Sequence, residues 1–168
     1  MEKQNIYQDI SARTGGEIYL GVVGPVRSGK STFIKRFMEL LVLPEIKDEN
    51  ERKRTMDELP QSGTGKMVMT TEPKFIPKEA AELPMEDMKI KIRLIDCVGF
   101  MIPGAGGNLE NGQERLVKTP WFDYEVPFTK AAEFGTRKVI RDHSTIGILV
   151  TADGSFGEIP VSYTHLRA

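Results

Sequence analysis

The chain of 168 residues carries one cysteine, Cys97, so no internal disulfide framework can form and a reducing compartment suits it. No stretch approaches the ~18 consecutive apolar residues that a spanning helix requires, and Met1 to Ile10 is polar rather than leader-like. Both features point to a cytoplasmic protein. Excess charge of either sign is missing: 23 Lys and Arg against 24 Asp and Glu leave a net charge of -1, which gives no electrostatic footprint for nucleic acid. The two histidines, His143 and His165, lack companions for a metal centre. Repeats and low-complexity tracts are absent. What remains, 28% charged and 39% hydrophobic residues at this length, describes about one soluble globular domain with room for a sizeable core.

Against that plain background one segment stands out. Gly24, Pro25, Val26, Arg27, Ser28, Gly29, Lys30 and Ser31 form a complete GxxxxGK[ST] motif. It follows the apolar run Ile18 to Val23 and precedes a stretch in which Phe33, Ile34, Phe37, Met38, Leu40 and Leu41 recur at helical spacing. A strand that turns through glycines into a helix gathers backbone N–H groups and the positive helix end at one point, where a polyphosphate can dock. Lys30 is then expected to reach the β and γ phosphates, and Ser31, with Thr32 beside it, opens the helix where a hydroxyl can ligate Mg2+. Arg27 is a candidate for added positive charge in the loop.

Beyond the helix, which Pro44 should end, the charged segment Asp48 to Leu59 reads as a short exposed helix capped by Asp48 and closed by Pro60. Gln61 to Lys66 reads as a loop, and Met67 to Met69 and Lys74 to Ile76 as extended, with Pro73 favouring an edge or a break. Met88 to Asp96 is the clearest strand, Ile90, Ile92 and Leu94 alternating with Lys89, Lys91 and Arg93. The glycine-dense segment Gly99 to Gly112 predicts a mobile loop. Pro127 opens a helix to about Arg141 with Phe128, Ala131, Ala132 and Val139 inward, and Ile146 to Val150 suits a buried parallel strand. The turn Ala152 to Gly154 follows it.

Hydrolysis or switching needs a metal-orienting acid and a γ-phosphate sensor as well as a loop. Asp96 closes its strand as the first residue of a DxxG that ends in Gly99, so its carboxylate can join the Mg2+ shell while the Gly99 amide faces the γ-phosphate. Thr70 and Thr71 lie upstream at the place of a sensor threonine, and the residues do not distinguish between them. Phe100 stands where related switches carry a glutamine or histidine, so intrinsic hydrolysis is expected to be slow. Cys97 reads as a small buried apolar residue.

These residues leave several readings open: an ATPase whose γ-phosphate state controls assembly, a GTP-dependent switch, a small-molecule phosphotransferase, which DxxG disfavours, and a structural subunit that holds nucleotide with negligible turnover. The stretches 24 to 37, 69 to 77, 92 to 100 and 142 to 147 resemble the stage IV sporulation protein A family, the spore-coat morphogenetic ATPases of endospore-forming bacteria. The resemblance implies an α/β P-loop NTPase fold of the GTPase-like, TRAFAC type, with a mostly parallel sheet flanked by helices. It implies ATP and Mg2+ as cofactors, with Lys30, Thr70, Thr71 and Asp96 in catalysis and Ser31, Thr70, Thr71 and Asp96 at the metal. It also implies self-assembly into a layer on the forespore surface in the mother cell. The partners implied are copies of itself, other coat proteins and a small amphipathic peptide that anchors the layer, so that membrane contact is indirect. Residues 1 to 160 are expected to be an NTPase domain cut before its last strands. Val161 to Ala168 departs from the family pattern and is expected to be a foreign or frame-shifted tail.

Overall fold

The computed structural model describes residues 12–60, 71–85, 88–102, 108–110 and 112–151. The expected extended stretch Met67 to Met69, the loop before it, Thr70, the turn Ala152 to Gly154, His165 and the tail from Val161 lie outside the described residues.

A four-stranded sheet in the order β2, β3, β1, β8 forms the centre, built from β1 (Glu17–Val23), β2 (Lys74–Met85), β3 (Met88–Asp96) and β8 (Ile146–Leu149). β1 pairs in parallel with both β3 and β8, while β2 runs antiparallel to β3. The sheet is therefore mixed: two of its three pairings are parallel, as expected of a mostly parallel sheet, and the β2 edge is antiparallel. The cause is connection length: β2 ends at Met85 and β3 starts at Met88, and so short a link permits only a hairpin. β2 is longer than the sequence suggested and includes Pro77 and Pro84, which an edge strand tolerates.

Alternation along β1 and β3 divides the core. Leu20, Val22, Ile92 and Leu94 face α1 (Lys30–Phe37) and the turns after it, packing with Ile34, Met38, Val42 and Leu43. Val23, Ile95 and Cys97 face α3 (Phe128–Lys138) and pack with Val139. Each fully buried aliphatic side chain contributes about 1.5–3 kcal/mol, so both layers hold the sheet firmly at its carboxyl end. The expected inward positions Phe128, Ala131, Ala132 and Val139 are all buried.

α1 continues into a π-helical turn, Met38–Val42. The wider winding of a π turn moves the buried stripe on, so Met38 and Val42 are inside while Leu40 and Leu41, expected on the packed face, are exposed. α2 (Glu49–Asp57) is the charged helix, and the Asp48 side chain accepts from the Glu51 N–H at 2.7 Å as a cap should. Two antiparallel ribbons that periodicity did not suggest fill the stretch before α3: β4 (Leu109–Glu110) with β5 (Gln113–Glu114), and β6 (Leu116–Thr119) with β7 (Phe122–Pro127). β8 is parallel as expected but only half-buried, because it is the edge strand among the described residues.

Candidate functional site

The carboxyl ends of β1 and β3 lie side by side, Val22 opposite Asp96, so the loop after one strand meets the acid that ends the other. The loop Gly24 to Gly29 leaves β1 through a backbone that few residues could follow. A Cβ on Gly24 would fall 2.1 Å from the Val150 carbonyl oxygen, and Gly29 has φ 93 immediately before α1. Arg27, with φ 65, is left-handed without being glycine, a conformation that costs an L-residue about 1–2 kcal/mol and is held only where its surroundings enforce it. Part of that enforcement comes from Phe100, whose N–H donates to the Gly24 carbonyl at 3.3 Å and whose carbonyl accepts from the Val26 N–H at 2.9 Å. The loop is thus strapped to the segment that follows Asp96.

Inside the loop the Lys30 side chain is buried, and its Nζ donates to the Pro25 carbonyl at 2.7 Å. Burial lowers the Lys30 pKa from its ordinary value, against the opposing pull of Cys97 and Asp96 nearby. Ser31 Oγ donates to Asp96 Oδ2 at 3.2 Å across 65 residues of sequence. Desolvation pushes the Asp96 carboxyl up, while the Ser31 hydrogen bond and the charges of Lys30 and Lys74 pull it down. A carboxylate held out of water in this way gains from a nearby cation. A hydroxyl and a carboxylate oxygen are hard donors suited to Mg2+, so Ser31 and Asp96 are the residues that could hold it.

Two further observations fit an anion at the same place. Among the described residues Ser28 Oγ is buried with no hydrogen-bond partner, an orphan inside the loop. α1 has no side-chain cap and no acid in its first turn, which leaves its positive end to the loop. Gly99, with φ 89, closes the other wall, where a Cβ would stand 2.4 Å from Lys30 Nζ and 2.5 Å from the Gly24 carbonyl oxygen. Lys30, Ser31, Asp96 and Gly99 therefore converge, with Pro25, Val26 and Ser28 beneath them and Arg27 and Thr32 exposed at the rim.

Thr71 is placed differently. It is buried, and its carbonyl oxygen lies 3.3 Å from where a Cβ on Gly135 of α3 would sit. Among the described residues no hydrogen bond joins Thr71 to Lys30, Ser31 or Asp96. Cys97 is buried with Sγ 3.5 Å from the Val22 carbonyl, and burial pushes its thiol up, as suits an inert core residue. The role of Phe100 escaped the sequence. Its ring is buried against Ile102, Ile140 and Leu149 while its main chain straps the loop, so the position is structural. The apolar run Phe100, Met101 and Ile102 directly after Gly99 was the one available signal.

Residues 1–166 match the family model described as stage IV sporulation protein A, ATPase domain. Similar curated proteins are the stage IV sporulation protein A of Bacillus anthracis, 55% identical over 95% of this chain and 33% of that protein, and that of Bacillus subtilis (strain 168), 57% identical over 95% and 32%. The protein of the same name in Clostridioides difficile (strain 630) is 59% identical over 90% of this chain and 31% of its own length. The chain spans about a third of the length of the curated relatives it matches. No solved structure matches.

Proposed function

Because the chain belongs to the family of the stage IV sporulation protein A ATPase domain, we propose that it binds ATP with Mg2+ at the loop Gly24 to Ser31 as a TRAFAC-type P-loop NTPase and hydrolyses the β–γ phosphoanhydride. The observation that carries this reading is the convergence of Lys30 and the Ser31–Asp96 hydrogen bond within one strapped loop. Lys30 and the N–H groups opening α1 bind and orient the phosphates, and Ser28 Oγ supplies a further donor. The Gly99 N–H faces the terminal phosphate. Ser31 and Asp96 hold Mg2+, with Thr70 or Thr71 as a further ligand and sensor. The metal supplies charge neutralisation at the phosphate oxygens.

Phe100 favours slow turnover in this chain, since its ring lies in the core and the position offers nothing to orient water. For the complete protein, hydrolysis is proposed to drive self-assembly of a coat basement layer on the forespore surface, in the mother-cell cytoplasm. Its partners would be other coat morphogenetic proteins and a small amphipathic membrane-anchoring peptide. Among the described residues no helix is long and apolar enough to cross a membrane.

The test is a titration of the chain with Mg-ATP and Mg-GTP, alone and in competition, with phosphate release followed in parallel. Lys30→Ala should lower affinity at least tenfold, since a charge-assisted contact of about 1.5–3 kcal/mol is lost. Asp96→Ala should leave part of the binding and abolish release. Unchanged affinity in Lys30→Ala overturns the site, and preference for GTP overturns the choice of nucleotide.

A further inference from the structure

On the sheet face opposite the one that α1 covers, α3 stops short. It passes into a π-helical turn, Val139–His143, that crosses the sheet over Gly21, where a Cβ would fall 1.9 Å from Ser144 Oγ. The next side chains on that face form a staggered row: Tyr19 stands opposite Arg93, and Phe75 lies one pair along, opposite Ile95. A cleft of about 450 Å3 opens there, floored by that row and walled by Asp142 to Thr145. That volume falls within the range of small-ligand pockets.

One cation of the cleft lacks an ion-pair partner among the described residues. Arg93 lies half-buried with its guanidinium 5.8 Å from the centre of the Tyr19 ring, and its buried Nε has no hydrogen-bond acceptor. The acids nearby are engaged elsewhere. Asp142 is held by Lys138 at 2.7 Å, and Glu17 accepts the Tyr19 hydroxyl and stands opposite Lys91 in the strand register. Among the described residues no carboxylate forms an ion pair with Arg93. β2 offers it no regular pairing either, because its register slips between Ile76 and Ala81, opposite Arg93. A buried Nε–H without an acceptor costs free energy that a bound anion can relieve.

The walls narrow the chemistry. Phe75 stands edge-on to both Tyr19, at 6.3 Å between ring centres, and His143, at 5.9 Å, so an apolar planar body finds aromatic surface beside the cation. The single charge of Arg93 matches a monoanion better than a dianionic phosphate. The guanidinium fork matches the two oxygens of a carboxylate. We infer that this cleft is a binding site for a small aromatic monocarboxylate, on the sheet face away from α1, with Arg93 as its anion anchor and Tyr19 and Phe75 as its walls.

The test uses the full chain labelled with 15N and three probes: benzoate, its neutral isostere benzamide, and inorganic phosphate. Benzoate should shift the Arg93 Nε–H, Tyr19 and Phe75 signals in a saturable way, whereas benzamide should not, and excess phosphate should fail to displace it. Arg93→Lys, which keeps the charge and removes the fork, should weaken benzoate at least tenfold with the melting temperature retained. Absence of saturable shifts on the wild-type chain overturns the proposal without recourse to any variant. Equal binding of benzamide, displacement by phosphate, or benzoate binding unaltered in Arg93→Lys does so too.

Discussion

Replacing Gly99 with alanine separates the cost of a backbone conformation from the cost of invading the site. The added Cβ would stand 2.5 Å from the Gly24 carbonyl oxygen, which belongs to the strapped loop and cannot move alone, and 2.4 Å from Lys30 Nζ. At φ 89 an alanine also sits where L-residues are strained by about 1–2 kcal/mol. Lys30 must swing away from the Pro25 carbonyl, giving up a charge-assisted hydrogen bond of about 1.5–3 kcal/mol in a buried position. The sum is about 2.5–5 kcal/mol, enough to lower the melting temperature by about 5 °C or more in a domain of this size. Because Lys30 is displaced, Mg-ATP affinity should fall at least tenfold as well. Gly112→Ala is the control, since Gly112 has φ 78 and nothing within 4 Å of a built Cβ. It should lose only the conformational 1–2 kcal/mol, roughly, and leave nucleotide binding intact. Thermal melts together with titration of a fluorescent ATP analogue measure both quantities. If Gly99→Ala melts and binds like Gly112→Ala, the close packing of Gly99 on Lys30 has no energetic meaning and the argument fails.

Other consequences are as direct. Burial raises the Asp96 pKa above its ordinary 3.8, so just above that pH the folded chain holds a proton that the unfolded chain has released. Stability from this group is present below pH 3.8 and is lost as pH rises through the folded value. In nucleotide-free melts across pH, Asp96→Asn should flatten that decline and melt above wild type at pH ~7; an unchanged slope refutes the assignment. Phe100→Gln should not raise phosphate release, because the side chain points into the core, and should lose about 3–5 kcal/mol from the lost ring and a buried amide. Faster turnover would show that the position faces the nucleotide after all. Gly21→Ala should lose about 1–3 kcal/mol against Ser144 and Val139. The double variant with Ser144→Ala should regain a good part of it, and denaturant midpoints that simply add would count against the packing described.

The elements legible in the chain were those whose signals are local. The glycine-rich turn from β1 into α1, its flanking strand and helix, the Asp48 cap, the β3 alternation and the buried face of α3 each follow from residues within a few positions of one another. Longer-range features were not legible for the same reason. The length of β2, the mixed sheet and the two ribbons before α3 depend on pairings between segments whose own patterns are weak. The π turn after α1 turned Leu40 and Leu41 outward because backbone winding, not side-chain type, chose the buried face.

Chain order alone, then, determined that a loop able to cradle phosphates follows β1 and that an aspartate ends β3, since motif spacing and strand alternation are written residue by residue. Tertiary structure decided that these two ends lie side by side, that Ser31 meets Asp96, that Phe100 straps the loop with its main chain, and that Arg93 is left facing an open cleft. Those outcomes rest on the parallel pairing of β1 with β3 and on where α3 ends over Gly21, contacts between segments distant in sequence that no local pattern encodes.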